Sequence, residues 1–248
     1  MSTAAGTDHQ CCRPISAVNA VGTAPSASLV VTPGVLIAQP TAFATTLAAG
    51  AKSVTLSWTD QSVGETGYAV LRATAGINAS TGAVTYAPAV RLPKATSVLA
   101  ANLATYVDTS IGANAVYRYE VGAVNGTTVG PVALAFTATA TSITGATGLT
   151  SGGAATTSSI ALQWQQSTNA LVTGYQIQRC VALTTSGCTA AAGTWTSLPM
   201  VAGRTTQKFT DAGLATKTSY AYRISAVSTA TPTPLASTWT APVTLKTK

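Results

Sequence analysis

Tyr117-Arg-Tyr-Glu-Val-Gly-Ala-Val124 and Tyr220-Ala-Tyr-Arg-Ile-Ser-Ala-Val227 are one phrase written twice, 103 residues apart. In the second copy Tyr220, Tyr222, Ile224 and Ala226 fall on one side, while Ala221, Arg223 and Ser225 fall on the other. Alternation with one apolar side reads as a half-buried antiparallel strand. Working outward, Val54-Thr-Leu-Ser-Trp58 matches Ile160-Ala-Leu-Gln-Trp164, and Gly67-Tyr-Ala-Val-Leu-Arg72 matches Gly174-Tyr-Gln-Ile-Gln-Arg179. Tyr106-Val-Asp-Thr-Ser-Ile111 likewise matches Phe209-Thr-Asp-Ala-Gly-Leu214. The pairs keep their order at offsets of 106, 107 and 103 residues, so the chain repeats itself. Breaker-rich stretches separate them, at 60–67, 76–82, 112–114, 125–126, 151–153 and 232–234. Short alternating strands with frequent turns, a repeat near 100 residues and no helical periodicity predict an all-β chain of sandwiches.

Within each copy a Trp closes the second strand (Trp58, Trp164) and a Tyr opens the third (Tyr68, Tyr175). A Leu/Ile-x5-Tyr-x-Tyr-x-Val/Ile-x-Ala-Val pattern then runs from Ile111 through Tyr117 to Ala123, and from Leu214 through Tyr220 to Ala226. These residues resemble the fibronectin type III family over two full copies. The resemblance implies two tandem seven-stranded, immunoglobulin-like β-sandwiches at residues 35–140 and 141–248, preceded at 1–34 by the last two strands of a third. It makes Trp58, Trp164, Tyr68, Tyr175, Tyr117 and Tyr220 structural core. The indoles would be large plugs between sheets. Tyr117 and Tyr220 would be corner tyrosines, tying the penultimate strand to the crossing before it. The adhesive Arg-Gly-Asp tripeptide of some family members is absent.

The partial copy is read from Ile15-Ser-Ala-Val18, which repeats Ile224-Ser-Ala-Val227 and Val121-Gly-Ala-Val124. Ser26–Thr32 then serves as its last strand. Before Ile15 the match decays: the corner position holds Cys11, and Arg13 and Pro14 follow in place of Tyr222 and Arg223. Met1 is then either a boundary inside a longer array or the start of an altered remnant. A two-stranded hairpin alone is marginal in water. Residues 15–32 are expected to be mobile, to dock on the first full copy, or to pair with another chain by strand addition. The joins at 33–40 and 140–143 are short, which predicts end-to-end stacking into a rod.

Only 8% of the 248 residues are charged, against roughly 25% in ordinary globular proteins. Thirteen Lys/Arg against six Asp/Glu give a net charge of +7. The basic residues form no run and are spread along the chain, whereas a groove for nucleic acid needs several together with aromatics to stack bases, so the pattern points away from nucleic acid. No apolar run reaches the length of a membrane span. The first ten residues lack the basic start and apolar stretch of a leader, which the array reading places upstream.

Candidate sites are few. Cys180 and Cys188 are spaced for a local disulfide that would stiffen an exposed loop in an exported protein. Together with Cys11 and Cys12 they have no zinc-ligand spacing. His9 is the only histidine and leaves no base for a nucleophilic triad. Asp108 and Asp211 hold equivalent turn positions, while Asp60 and Glu65 are too few for a calcium cage. Asp8 and Glu120 complete the acids. Arg72 and Arg179 end equivalent strands and are expected on the solvent face. Asn78-Ala-Ser80 and Asn125-Gly-Thr127 are glycosylation sequons. Trp195, Trp239, Tyr86, Phe43 and Phe136 are the aromatics without an assigned place, and Trp195 beside the cysteine loop is the weak candidate for ligand binding.

No metal site or cofactor is expected, and no catalytic residue. The reading is a non-enzymatic spacer of an extracellular or cell-surface protein, of a composition found in bacterial arrays. Its alternative is a polysaccharide- or protein-binding adhesion module using sandwich-end loops and the Cys180–Cys188 loop.

Overall fold

A computed structural model describes residues 16–19, 22–25, 34–94, 96–181, 188 and 194–248. Strands β1 (Ser16–Asn19) and β2 (Gly22–Pro25) pair antiparallel, from Ser16 opposite Pro25 to Asn19 opposite Gly22, and form a sheet of their own. The expected partner of the first hairpin strand, Ser26–Thr32, lies outside the described residues; the pairing is made by Gly22–Pro25 instead. Cys11, Cys12, His9 and Asp8, and most of the segment proposed for strand addition, also lie outside them.

The first sandwich is built from β3 (Thr41–Leu47), β4 (Val54–Thr59), β5 (Gly67–Ile77), β6 (Val84–Tyr86), β7 (Val90–Leu92), β8 (Thr105–Asp108), β9 (Val116–Asn125) and β10 (Thr128–Ala138). One sheet runs β3-β4-β8 and the other β10-β9-β5-β6, with β7 also paired to β5. The second sandwich uses β11 (Thr147–Ser151), β12 (Ser159–Gln165), β13 (Gly174–Val181), β14 (Thr196–Ser197), β15 (Val201–Ala202), β16 (Lys208–Ala212), β17 (Ser219–Ser228), β18 (Leu235–Ala236) and β19 (Val243–Lys246). Its sheets run β11-β12-β16 and β14-β13-β17-β18, with β15 on β13 and β19 on β17. Every pairing is antiparallel. The same two-sheet plan occurs twice. It departs from seven plain strands only where an edge strand is broken into short pieces.

The alternation written in the sequence sets which side faces in. Val54, Leu56 and Trp58 turn inward from β4, and Ile160, Leu162 and Trp164 from β12, all at 5% exposure or less. Opposite them stand Tyr68 and Val70 of β5 with Tyr119 and Val121 of β9, and Tyr175 and Ile177 of β13 with Tyr222 and Ile224 of β17. Each indole packs against the opening tyrosine of the facing sheet, with ring centroids 5.4 Å apart in both copies. Such a pair adds shape-specific packing to the area that it buries.

The corners are closed by tyrosine hydroxyls. Gly112 N–H donates to Tyr117 Oη at 2.7 Å, and Ala215 N–H donates to Tyr220 Oη at 2.9 Å. Thr139 and Thr247 repeat one further device, each hydroxyl accepting one amide of that corner and donating to a carbonyl there. Edge protection is visible on β10, where the Gln39 side-chain amide and the Thr45 hydroxyl donate to the carbonyls of Val132 and Phe136. Carbonyls so engaged are withdrawn from pairing with another strand.

Candidate functional site

Three places concentrate polar or aromatic chemistry. The first lies inside each sandwich. Arg72 shares the inward side of β5 with Tyr68 and Val70 and stands opposite Tyr119. Its guanidinium donates to Asp108 Oδ2 at 2.7 Å, and the Tyr119 hydroxyl donates to the same oxygen at 2.8 Å. The Ser110 amide and hydroxyl hold the other oxygen at 2.9 and 2.7 Å. In the second sandwich Arg179 reaches both oxygens of Asp211 at 3.1 Å, and Tyr222 donates to Oδ2 at 2.8 Å. The expectation that Arg72 and Arg179 face solvent is therefore corrected. Their side chains are 15% and 27% exposed, because the period-two register turns them to the core side, where a buried carboxylate meets them.

Burial works to raise the Asp108 carboxyl, but the Ser110 hydroxyl and amide, the Tyr119 hydroxyl and the Arg72 charge together hold it below its ordinary value. Burial, and then the bond to the carboxylate, push the Tyr119 and Tyr222 hydroxyls upward. A carboxyl with a lowered folded-state value contributes stability that is present above its unfolded value and is lost as pH falls through the folded one. Asp108→Asn is expected to flatten the acid limb of stability below about pH 4, which urea denaturation at a series of pH values reads directly.

Two further acids, Asp60 and Glu65, lie in the connection between β4 and β5. Asp60 Oδ1 accepts the Ser62 amide at 2.8 Å and also the Tyr68 hydroxyl. Glu65, 7% exposed, accepts the Asn102 amide at 2.9 Å. Among the described residues no three of His, Cys, Asp and Glu gather as a metal-ligand set.

The second place is the outer side of the β13–β17 sheet. Cys180 and Cys188 form a disulfide there, with Cα atoms 6.1 Å apart. Beside it Arg223 lies between two indoles, its guanidinium carbon 4.2 Å from the ring centre of Trp195 and 4.9 Å from that of Trp239. Arg223 Nε donates to Gln178 Oε1 at 2.8 Å. Trp195, the candidate for ligand contact, is half-buried and stacked on this cation. The other unassigned aromatics are also in use. Phe43 meets Trp58 edge-on at 6.4 Å, and Tyr86 pairs with Phe136 at 5.9 Å under the Arg118 guanidinium. The disulfide closes a loop of only eight steps, so reducing it is expected to cost the second sandwich no more than about 2–3 kcal/mol. Denaturant melts with and without reductant measure this.

The third place is the junction. The buried cluster of the second sandwich runs across it to include Val116 and Ala140, with Ala75, Ile77, Val84 and Ala138 of the first packed against it. The turn after β5 is built by Asn78, whose side-chain oxygen accepts the amides of Ser80 and Thr81 at 2.9 and 3.0 Å. This turn presses onto the second sandwich. The Thr205 amide and hydroxyl both donate to the Ala79 carbonyl, at 2.9 and 3.1 Å. A β-carbon at Gly82 would stand 2.0 Å from the Thr173 carbonyl oxygen, and one at Gly203 would stand 1.9 Å from that of Ser80. Both glycines also have positive φ, 71° and 85°. Leu171, Val172, Ala230 and Thr231, in the connections at the leading end of the second sandwich, are all buried. The short join at 140–143 predicted stacking of the units but not the residues that make the contact; the trace these left was the apolar residues Ile77 and Val84 flanking a turn.

No family model matches the chain, and no curated protein matches it. Solved structures to which it is similar include the first to third fibronectin domains of chicken CNTN1, at 19% identity over 95% of this chain and 74% of that one, with a TM-score of 0.39. A two-domain fibronectin type III segment of chicken tenascin is similar at 13% identity over 86% of this chain and 98% of that one, with a TM-score of 0.35. A myokine structure is similar at 18% identity over 43% of this chain and 98% of that one, with a TM-score of 0.34. The first two are tandem fibronectin type III chains. The fold stated here follows from the strand pairings themselves: an all-β chain of two successive antiparallel sandwiches. Among the described residues no helix is long and apolar enough to cross a membrane.

Proposed function

We propose that the chain is a non-catalytic spacer of an extracellular or cell-surface protein, in which two fibronectin type III-like units, at 35–140 and 141–248, are held end to end at one angle. The observation that carries this is the junction. A shared apolar cluster and the hydrogen bonds from the Thr205 amide and hydroxyl to the Ala79 carbonyl resist bending in a way that a polar tether does not. The Cys180–Cys188 disulfide supports an oxidising location. The leading-end loops of the second unit are spent on the junction. A partner therefore has the outer sides and the far end of that unit to contact.

Small-angle scattering combined with residual dipolar couplings tests the proposal. One relative orientation of the two sandwiches, unchanged by salt, is expected. Couplings that require a spread of orientations would sink the spacer reading.

A further inference from the structure

The two sandwiches carry very different charge. After residue 140 the chain has seven of the thirteen Lys/Arg and one of the six Asp/Glu, so this part holds +6 of the net +7. The one acid, Asp211, is 5% exposed and is engaged by Arg179 and Tyr222. Part of the unbalanced charge collects at the trailing end of the second sandwich, away from the junction. The Lys217 amide donates to the Lys248 carbonyl at 3.0 Å, and Lys246 stands opposite Ser219 in the β17–β19 pairing. Lys246 and Lys248 lie on one side of the chain, because alternate residues of an extended segment do, and Thr247 between them is turned in at 3% exposure. Lys217, Lys246 and Lys248 are all exposed.

The repeat shows what these lysines replace. Lys217 and Asn114 are equivalent, and both sit at a φ of 51°. Thr247 and Thr139 make the same corner bonds, which sets Lys246 against Ala138 and Lys248 against Ala140. Ser219 takes the place of Val116 by the same register. In the first sandwich Val116, Ala138 and Ala140 are the apolar socket of the junction. At the corresponding end of the second, that socket has become two lysines and a serine, with Lys217 beside them in place of Asn114. Threonine and serine surround them: the Thr156 main-chain carbonyl accepts the Lys248 amide, which brings that residue alongside, and Thr216 and Thr218 flank Lys217.

We infer that the trailing end of the second sandwich is a docking surface for an anionic polysaccharide. The lysines supply charge complementary to carboxylates spaced along a glycan, and the neighbouring hydroxyls supply donors and acceptors for its sugar hydroxyls. No aromatic residue stands among 154–159, 215–219 or 246–248 for bases to stack on, and no large apolar side chain for insertion into a bilayer. The inference goes beyond the spacer reading and does not depend on the angle between the units.

The test uses the full chain and polygalacturonate oligomers, with the methyl-esterified polymer as the uncharged comparison. Binding is expected for the acid form only, weakening at least about tenfold as salt rises from about 0.05 to about 0.5 M. Amide shifts on titration are expected at Lys217, Lys246 and Lys248. The variant Lys217→Asn, Lys246→Ala, Lys248→Ala carries the residues of the first sandwich at equivalent positions, so its backbone is already precedented in this chain. It is expected to lose about tenfold or more in affinity, while replacing all three by arginine retains binding. Absence of binding to polygalacturonate, shifts confined to other residues, or full affinity in the alanine variant overturns the proposal. Equal or tighter binding of single-stranded DNA or of phosphatidylserine vesicles overturns the assignment to polysaccharide. The scattering experiment above reads the spacer separately, so either can fail alone.

Discussion

Arg72→Met is expected to destabilise the first sandwich by about 3–5 kcal/mol, because it leaves Asp108 charged and buried without its cation. Asp108 is 1% exposed, and it would keep only the Ser110 and Tyr119 bonds. The double variant Arg72→Met, Asp108→Asn should recover part of that loss, since a neutral amide no longer has an ionic desolvation penalty to offset. Arg179→Met should cost less. Arg179 is nearly twice as exposed as Arg72, and water can reach part of the pair that it forms with Asp211. Denaturant unfolding followed at the amides of each sandwich separates the two effects. A loss below about 1 kcal/mol for Arg72→Met would show that the pair is solvated in solution.

Gly203→Val is expected to part the two sandwiches. The new side chain must adopt a left-handed backbone, at about 1–2 kcal/mol, and its β-carbon would fall 1.9 Å from the Ser80 carbonyl oxygen. That neighbour is backbone and cannot rotate away. Relief comes by withdrawing the Asn78–Gly82 turn, which breaks the Thr205–Ala79 bonds and exposes Ile77, Val84 and Val116. The expected readings are a spread of inter-unit orientations in the dipolar couplings and faster hydrogen exchange at Thr205. The hydrogen-bonded core amides of β9 and β17 should stay protected. Unchanged couplings would mean that the junction is held by something other than this contact.

Much of the architecture was legible in a few residues. The matched phrases ending β9 and β17 announced both the repeat and the inward side, because a strand's period of two is a local property. The indole and tyrosine positions followed from the same register. Arg72 was misjudged although the signal was present. Tyr68, Val70 and Arg72 share one side of a strand, and only the habit of placing charge in water argued otherwise. Its carboxylate partner lies 36 residues away, in a sheet whose pairing no local pattern announces. The Trp195–Arg223–Trp239 stack was hidden for a similar reason: three segments meet on one sheet face, and two of them scarcely form strands. The lysines of the trailing end were written in the repeat, at positions where the first copy has Asn and Ala. They emerged once the threonine corners fixed the register.

The burial of the leading-end loops of the second sandwich has a bearing on which parts of this chain can accept new sequence. Loop tips on a sandwich ordinarily tolerate lengthening, since nothing rests on them. Here the connection from β12 to β13 and the one after β17 are load surfaces for the preceding unit, with Val172 fully enclosed. An insertion there would be felt first as a change of direction between the two units, before either lost its fold. The corresponding connection of the first sandwich meets the lead-in segment, through hydrogen bonds between Leu36 and Val63 and between Ala38 and Ser62, and Val63 there stays half exposed. Two loops of equivalent position in a repeat thus differ in how freely they can diverge, and the difference is set by what leans on them.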